Sequence, residues 1–386
     1  MTQKSLGTQP KNAGNPRPLQ NGFRFLGQKT SPSYDRAFSN QIATHCLGKK
    51  STAPARCPPE KFGSTLCRWD GDKAVLGRSG SAGKLALDPD GQFYAPIKHG
   101  KLNRVAGVIN EMKALGHHTP VTLNMHDARS YGTSPDTAVC WPIITYNRRP
   151  RAQNLVLWPL PGFHTPGINK YVHQTPIDPF SFDQKLDIAH WRGHLSGPTN
   201  TPEARASDVL RKLADPTSAI DNTTILQQLS GNTRFNVVTQ FAGSKSVDAA
   251  FALKGIHKAA AQHPLIAKHC QKRVNLRWFF KAKYILSLSG TDTGSNFLMA
   301  ANSYSVVLKE EDGWALFYTT AFQPWQHYIP LLPGAPDIIE KLAWARANPK
   351  ACQRMSKAAR AVCAKLATPE NRQHILRAVL EGISLS

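Results

Sequence analysis

The chain has 386 residues, 41% of them hydrophobic, and carries 48 Lys and Arg against 25 Asp and Glu, a formal net charge of +23. A chain this long exceeds one ordinary core and predicts two domains, and its apolar content excludes a largely disordered chain. No stretch reaches the roughly 18 to 20 uninterrupted apolar residues of a bilayer span, and seven cysteines without a C-x-x-C pair argue against both a disulfide framework and a structural zinc site.

Residues 1–65 are rich in Pro, Gly, Ser, Thr and Lys and read as a basic, partly ordered arm. Its first residues, MTQKSLGTQPKNAGNPRPLQ, lack the apolar core of a signal peptide, so the chain is expected in the cytoplasm. Residues 66–185 read as a first α/β unit. Within it KLNRVAGVINEMKAL (101–115) is predicted helical, TPVTLNMHD (119–127) is a strand with a polar end, and NLVLWPLPG (154–162) is a strand stopped by Pro159 and Pro161. The Pro/Gly-rich GFHTPGINKYVHQTPIDPFS marks the link between the two units.

A second α/β unit spans 186–365. LDIAHWRG reads as a strand, TPEARASDVLRKLAD as a helix capped by Thr201, TRFNVVTQF as a strand and SVDAAFALKGIHKAAAQ as a helix. The helical spacing of IIEKLAWARA, CQRMSKAARAVCAKLA and HILRAVLEGI completes the chain, and the last helix, 366–386, is expected to pack back on the first unit.

The segment with the most chemistry is KYILSLSGTDTGSN, an apolar strand feeding a small-residue turn before FLMAANS and a further strand, SVVLK. Free backbone N–H groups and a positive helix end make such a turn a phosphate cradle. Two α/β units with a cleft between them place ligands beyond the carboxyl ends of strands. Asp127, Arg192 and Gly290 each follow a predicted strand at such an end.

The motifs WRG (191–193), KYILSLSG (283–290), SVVLK (305–309) and FQPWQHYIPL (322–331), in this order, resemble glycosyltransferase family 90. That family includes protein O-glucosyltransferases, capsule-associated xylosyltransferases and bacterial lipopolysaccharide-modifying enzymes. The resemblance is strong from Asp187 to Met355 and weak from Val121 to Gly167. It implies an α/β GT-B fold, with two Rossmann-like domains facing across a cleft. It further implies a UDP-sugar donor, inversion at the anomeric carbon, and a cell-surface glycan or glycolipid acceptor such as lipopolysaccharide core or capsule.

By that resemblance Asp127 is the candidate base, with turn capping as its alternative role, and Arg192, Gly193, Arg205, Gly290, Thr293, Gly294, Ser295, Asn296 and Lys309 bind the donor. His194, Trp325, His327 and Tyr328 are the candidate sugar pocket. Asn296 stands where animal members carry an arginine, which favours the bacterial-type branch and leaves the leaving-group charge only partly met. Asp292 reads as a helix cap. No cofactor is firmly implied; Asp70–Asp72 and Asp88–Asp90 are short Asp-x-Asp matches of the kind that bridge Mg2+ or Mn2+ to a diphosphate, but both lie in turn contexts.

A protein O-glucosyl- or xylosyltransferase is the alternative within the family. A basic nucleic-acid-binding protein is the alternative from another class, although no nucleic-acid module is legible and nucleic acid is not expected as a partner. The short basic clusters Lys49–Lys50, Arg148–Arg149–Arg151 and Lys268 to Arg277 read as solvated surface first and as peripheral contact with an anionic membrane second.

Overall fold

In a computed structural model, the described residues are 33–50, 66–77, 83–96, 100–127, 139–161, 164, 178–201 and 204–384. The first helix, α1 (Arg36–Leu47), lies inside the stretch read from sequence as a basic arm. Asp35 caps it by accepting from the Phe38 N–H, and it buries Ile42, Ala43 and Cys46. The strands β1 (Cys67–Trp69), β2 (Ala74–Leu76), β3 (Gly83–Lys84), β4 (Ala86–Leu87) and β5 (Phe93–Tyr94) follow, then helix α2 (Gly100–Ala114), β6 (Val121–Asn124), β7 (Ile143–Thr145) and β8 (Leu155–Leu157). Strands β4 and β5 form a ribbon, and the rest form a sheet of order β3-β2-β1-β6-β7-β8. Only β6, β7 and β8 in that sheet run parallel.

The second half contains β9 (Leu186–Gly193), α3 (Ala206–Ala214), α4 (Asn222–Leu229), α5 (Thr233–Gln240), β10 (Val247–Phe251), α6 (Pro264–Ala267), α7 (Leu276–Phe280) and β11 (Ala282–Ser287). It continues through α8 (Phe297–Ala301), β12 (Val306–Glu310), β13 (Ile329–Leu331), α9 (Ile338–Ala347), α10 (Pro349–Ala367) and α11 (Pro369–Ser384). Its sheet, β10-β9-β11-β12-β13, is parallel throughout. Strands buried on both faces read as continuous apolar runs, which is why YILSLS and SVVL are recognisable.

Three sequence expectations fail here. TRFNVVTQF is helix α5, because Asn232 caps it through the Phe235 N–H and Phe235, Val238 and Val237, Phe241 recur at helical spacing on a buried face. SVDAAF is the edge strand β10, paired along β9 from Val247 to Phe251, and the chain breaks into short turns where Gly255 adopts a positive φ of 59°. The helix placed from Thr201 begins at Ala206 with Arg205 as its N-cap; Pro202 and Glu203 lie outside the described residues.

One apolar cluster joins Leu123, Ile144 and Val156 of the first sheet to Ile285 and Val307 of the second, with Ile42 of α1 and Ile375 and Val379 of α11. A second cluster buries the other face of the parallel sheet under α3, α4, α5 and α9. Polar ties reinforce the shared core. The buried pair Lys185–Asp178, 2.7 Å apart, anchors the entry to β9, and Glu111 of α2 pairs with Arg372 of α11 at 2.6 Å. Arg148, expected in a solvated cluster, is instead buried: it donates to the carbonyls of Cys46 and Leu155 at 2.8 and 2.9 Å and also to that of His45. Its own N–H and C=O pair with Ala315, joining the first sheet to the segment after β12. Among the described residues no helix is long and apolar enough to cross a membrane.

Candidate active site at the carboxyl ends of the strands

The turn after β11 is shaped by two glycines. Gly290 donates its N–H to the Asp292 carbonyl at 2.9 Å. A Cβ at Gly290 would sit 2.6 Å from Arg234 Nη2 and 2.8 Å from Ser196 Oγ, and one at Gly294 would collide with Ser287 Oγ. Thr293 and Gly294 are buried and Ser295 is exposed. The backbone N–H groups of Thr293, Gly294 and Ser295 have no hydrogen-bond partner among the described residues. Asn296 directs its amide inward, donating to the Leu286 carbonyl at 2.9 Å, so its side chain steadies the strand end.

The cation at this turn is Arg234, which the sequence reading did not single out. Its Nε donates to the Ser289 carbonyl at 2.8 Å and its Nη2 to that of Leu288 at 3.1 Å, while Nη1 reaches the His194 carbonyl and Ser196 Oγ at 2.8 and 2.7 Å. One guanidinium thus rivets the ends of β9 and β11 together. Asn232, two residues earlier, donates to the carbonyls of Ser196 and Pro198. Beneath them the buried Glu310 accepts from the Ser289 N–H and Oγ, Thr233 Oγ1 and the Gly334 N–H, all at 2.6–2.8 Å. A short run of polar residues after an Asn cap, NTRF, was the available signal for Arg234; reading that segment as a strand hid it.

The other proposed donor-binding groups sit differently. Arg192 is engaged by Asp248 at 2.6 Å and by Gln271, and it stacks on Trp278 at 4.4 Å. Gly193, next to it, admits the Trp191 ring where a Cβ would lie 2.6 Å away. Arg205 is half-buried at the start of α3, and its backbone N–H donates to Asp208 at 3.0 Å. Lys309 pairs with Glu311 at 3.3 Å.

Asp127 lies just beyond β6 and meets the turn through one residue. Its Oδ1 accepts from Arg104 at 2.6 Å and from the Tyr146 hydroxyl at 2.8 Å, and its Oδ2 pairs with Lys101 at 2.9 Å. The same hydroxyl stands 2.7 Å from Asp292 Oδ2, which also accepts from Asn147 Nδ2 at 2.6 Å. Burial opposes ionisation of Asp127, but the charges and hydrogen bonds of Arg104 and Lys101 outweigh it and hold the carboxyl well below the usual carboxylate range. Asp312, also beside the turn, moves the other way. Burial pushes it up to about 6 against the pull of Lys309, the Trp314 N–H and Thr293.

Of the expected sugar-pocket residues, His194 is at the site. Its Nε2 is 3.1 Å from His257 Nδ1, and burial, then His257 and nearby cations, push it down to about 4. Tyr328 and His327 are buried: Tyr328 meets the Phe297 ring edge-on, and His327 Nδ1 accepts from the Gln323 N–H at 2.8 Å. Trp325 packs against Trp344 at 4.8 Å on α9.

Asp70 accepts from the N–H groups of Asp72 and Lys73, and Asp88 from that of Gln92, as turn-capping carboxylates do. Among the described residues no group of three or more His, Cys, Asp and Glu is arranged to hold a metal ion. A cavity of about 690 Å³ lies between Trp69, Val121, Trp141 and Ile383, at the opposite end of β6 and β7 from Asp127.

Residues 178–368 match the family model described as Glycosyl transferase family 90. Over 79 residues the chain is 32% identical to Protein O-glucosyltransferase 3 of Mus musculus, covering 20% of this chain and 16% of the mouse protein. It is 29% identical over 91 residues to Protein O-glucosyltransferase 3 of Homo sapiens, covering 24% of this chain and 18% of the human protein. It is 31% identical over 90 residues to Protein O-glucosyltransferase 2 of Danio rerio, covering 23% of this chain and 17% of the fish protein. The aligned region spans 16 to 18% of the length of these relatives.

Proposed function

Since residues 178–368 match the family model described as Glycosyl transferase family 90, we propose that the protein is an inverting glycosyltransferase that moves a sugar from a UDP-sugar to a hydroxyl of a cell-surface glycan. In this reading the two sheets are the halves of a GT-B fold and the donor lies against the parallel one. The observation that carries it is the bridge from Asp127 through Tyr146 to Asp292. It joins the carboxylate proposed as base to the turn proposed to hold the leaving group.

The acceptor oxygen attacks the anomeric carbon and gives its proton to Asp127, while the bond from that carbon to the diphosphate oxygen breaks and UDP departs. The N–H groups of Thr293, Gly294 and Ser295, with Arg234 behind them, meet the charge left on the diphosphate. A carboxylate held far below neutrality is a weak base. An arriving diphosphate would compete with Asp127 for Lys101 and Arg104 and so restore its basicity. No step requires a metal, although a diphosphate could bring Mg2+ or Mn2+ with it.

The names of the relatives favour a second reading, in which the acceptor is a hydroxyl of a protein. Cys46, Cys67, Cys270, Cys352 and Cys363 are free thiols, whereas a protein-modifying enzyme of an oxidising compartment is expected to use disulfides. Hydrolysis of UDP-glucose, UDP-xylose, UDP-galactose and their N-acetyl forms, followed by addition of glycan or peptide acceptors, tests both. Asp127→Asn should keep UDP binding and lose transfer by about 100-fold or more; normal turnover by that variant would remove Asp127 as the base.

A further inference from the structure

Between Asp248 and Asp292 the chain carries no Asp or Glu, yet it contains Lys254, Lys258, Lys268, Lys272, Arg273, Arg277, Lys281 and Lys283. The fold gathers the first five at one place. Phe251, at the end of edge strand β10, accepts from the Gln271 N–H and donates to the His269 carbonyl. This pairing sets the 254–258 turns and the 268–273 segment side by side at the carboxyl end of the sheet.

Lys254, Lys258, Lys268, Lys272 and Arg273 are all exposed, and none has an ion-pair partner among the described residues. The acids that face this region are already neutralised: Asp248 by Arg192 at 2.6 Å and Asp208 by Arg211 at 3.0 Å. In their midst Ile256 is 72% exposed, a large apolar side chain held out between two lysines. Unpaired cations around one protruding aliphatic group suit a lipid headgroup layer better than a nucleic acid, where aromatic stacking surfaces or base-reading side chains would be expected.

We infer that this face, Lys254–Ile256–Lys258 with Lys268, Lys272 and Arg273, seats the protein on an anionic bilayer, with Ile256 entering the headgroup region. It lies at the same end of the parallel sheet as the 290–296 turn, and His257 within it touches His194. Docking there turns the site toward the surface that a lipid-linked acceptor would occupy. The inference stands on charge and exposure and does not depend on the transfer reading.

The test is co-sedimentation of the full chain with phosphatidylcholine vesicles, with and without about 30% phosphatidylglycerol, at roughly 0.1 and 0.5 M NaCl. Binding is expected only to the anionic vesicles and should fall steeply with salt. Reversal of Lys254, Lys258, Lys268, Lys272 and Arg273 to Glu should weaken it about tenfold or more, and the pairs Lys254→Glu/Lys258→Glu and Lys268→Glu/Lys272→Glu should each weaken it partly. Ile256→Asp should lower the binding that survives at high salt.

Reversal of the exposed Lys350, Arg354 and Lys357 on α10 is the control and should change binding less than about twofold. Equal binding to neutral vesicles, an equal loss in the control, or pelleting with single-stranded RNA but not with vesicles would overturn the inference. Thermal stabilisation by UDP, measured on the same five-site variant, reads folding and donor binding separately from docking.

Discussion

The Tyr146 hydroxyl stands 2.7 Å from Asp292 Oδ2, although the two residues are 146 positions apart in the chain. The contact crosses from the end of the first sheet to the turn after β11. Tyr146 has a single hydroxyl proton and faces a second carboxylate, Asp127, at 2.8 Å. The two halves of the site are therefore coupled through one group. Tyr146→Phe should lower the rate of sugar transfer about tenfold and leave UDP affinity within about twofold. A double-mutant cycle with Asp292→Asn should return a coupling energy of about 0.5–3 kcal/mol; strict additivity would show that the bridge does no coupling.

Arg234 is the group on which donor binding should depend most. Its charge-assisted bonds hold the carbonyls of His194, Leu288 and Ser289. Such bonds are worth about 1.5–3 kcal/mol each when lost with a buried partner. Arg234→Ala should weaken UDP binding by roughly 10- to 100-fold, and Gly290→Ala, whose Cβ would press on the same guanidinium, should do likewise. Arg192→Ala should mainly lower the melting temperature, since that side chain is spent on Asp248 and Gln271. Titration calorimetry of the three variants distinguishes the roles.

Glu310 should matter for stability. Its two carboxylate oxygens accept four hydrogen bonds in a buried position. Glu310→Gln keeps the shape but turns an NH2 toward donors, leaving at least one unsatisfied at a cost of about 1–3 kcal/mol. Chemical denaturation should show that loss with an unchanged slope.

Acid should destabilise the protein well above the carboxylate range. His164 is buried among Tyr146, Phe317 and Tyr318 and accepts the Leu160 N–H at 3.1 Å. Burial first, then Arg104 and Arg372, push it down to about 3; His194 is pushed down to about 4. Both are neutral when folded and take up protons on unfolding once the pH drops below the ordinary value of 6.5. Their contribution to stability is therefore full above that value and is lost as the pH falls toward 4 and 3. His164→Gln should flatten the stability profile between about pH 6 and 4 by up to about 1.4 kcal/mol per pH unit, read from denaturation curves at several pH values. An unchanged slope would show that His164 is not the source.

The sequence revealed strands β11 and β12 because strands buried on both faces are continuously apolar, and WRG and FQPWQHYIPL carried the family resemblance. It misled where propensity and packing disagree. The valines of TRFNVVTQF favour a strand, yet the Asn232 cap and the apolar face of Phe235 and Val238 make a helix, and Arg234 was lost with that misreading. SVDAAF is alanine-rich and reads as helix, but pairing with β9 overrides the local preference. The relation between Asp127 and Asp292 was not legible at all, since it exists only where the two sheets meet.

The most direct test of the central claim is nucleoside-diphosphate binding by the unmodified chain. Calorimetric titration with UDP should show one saturable site, with a matching rise in melting temperature that Arg234→Ala reduces and Asp127→Asn retains. Absence of binding and of stabilisation by UDP and by every other nucleoside diphosphate would contradict the account.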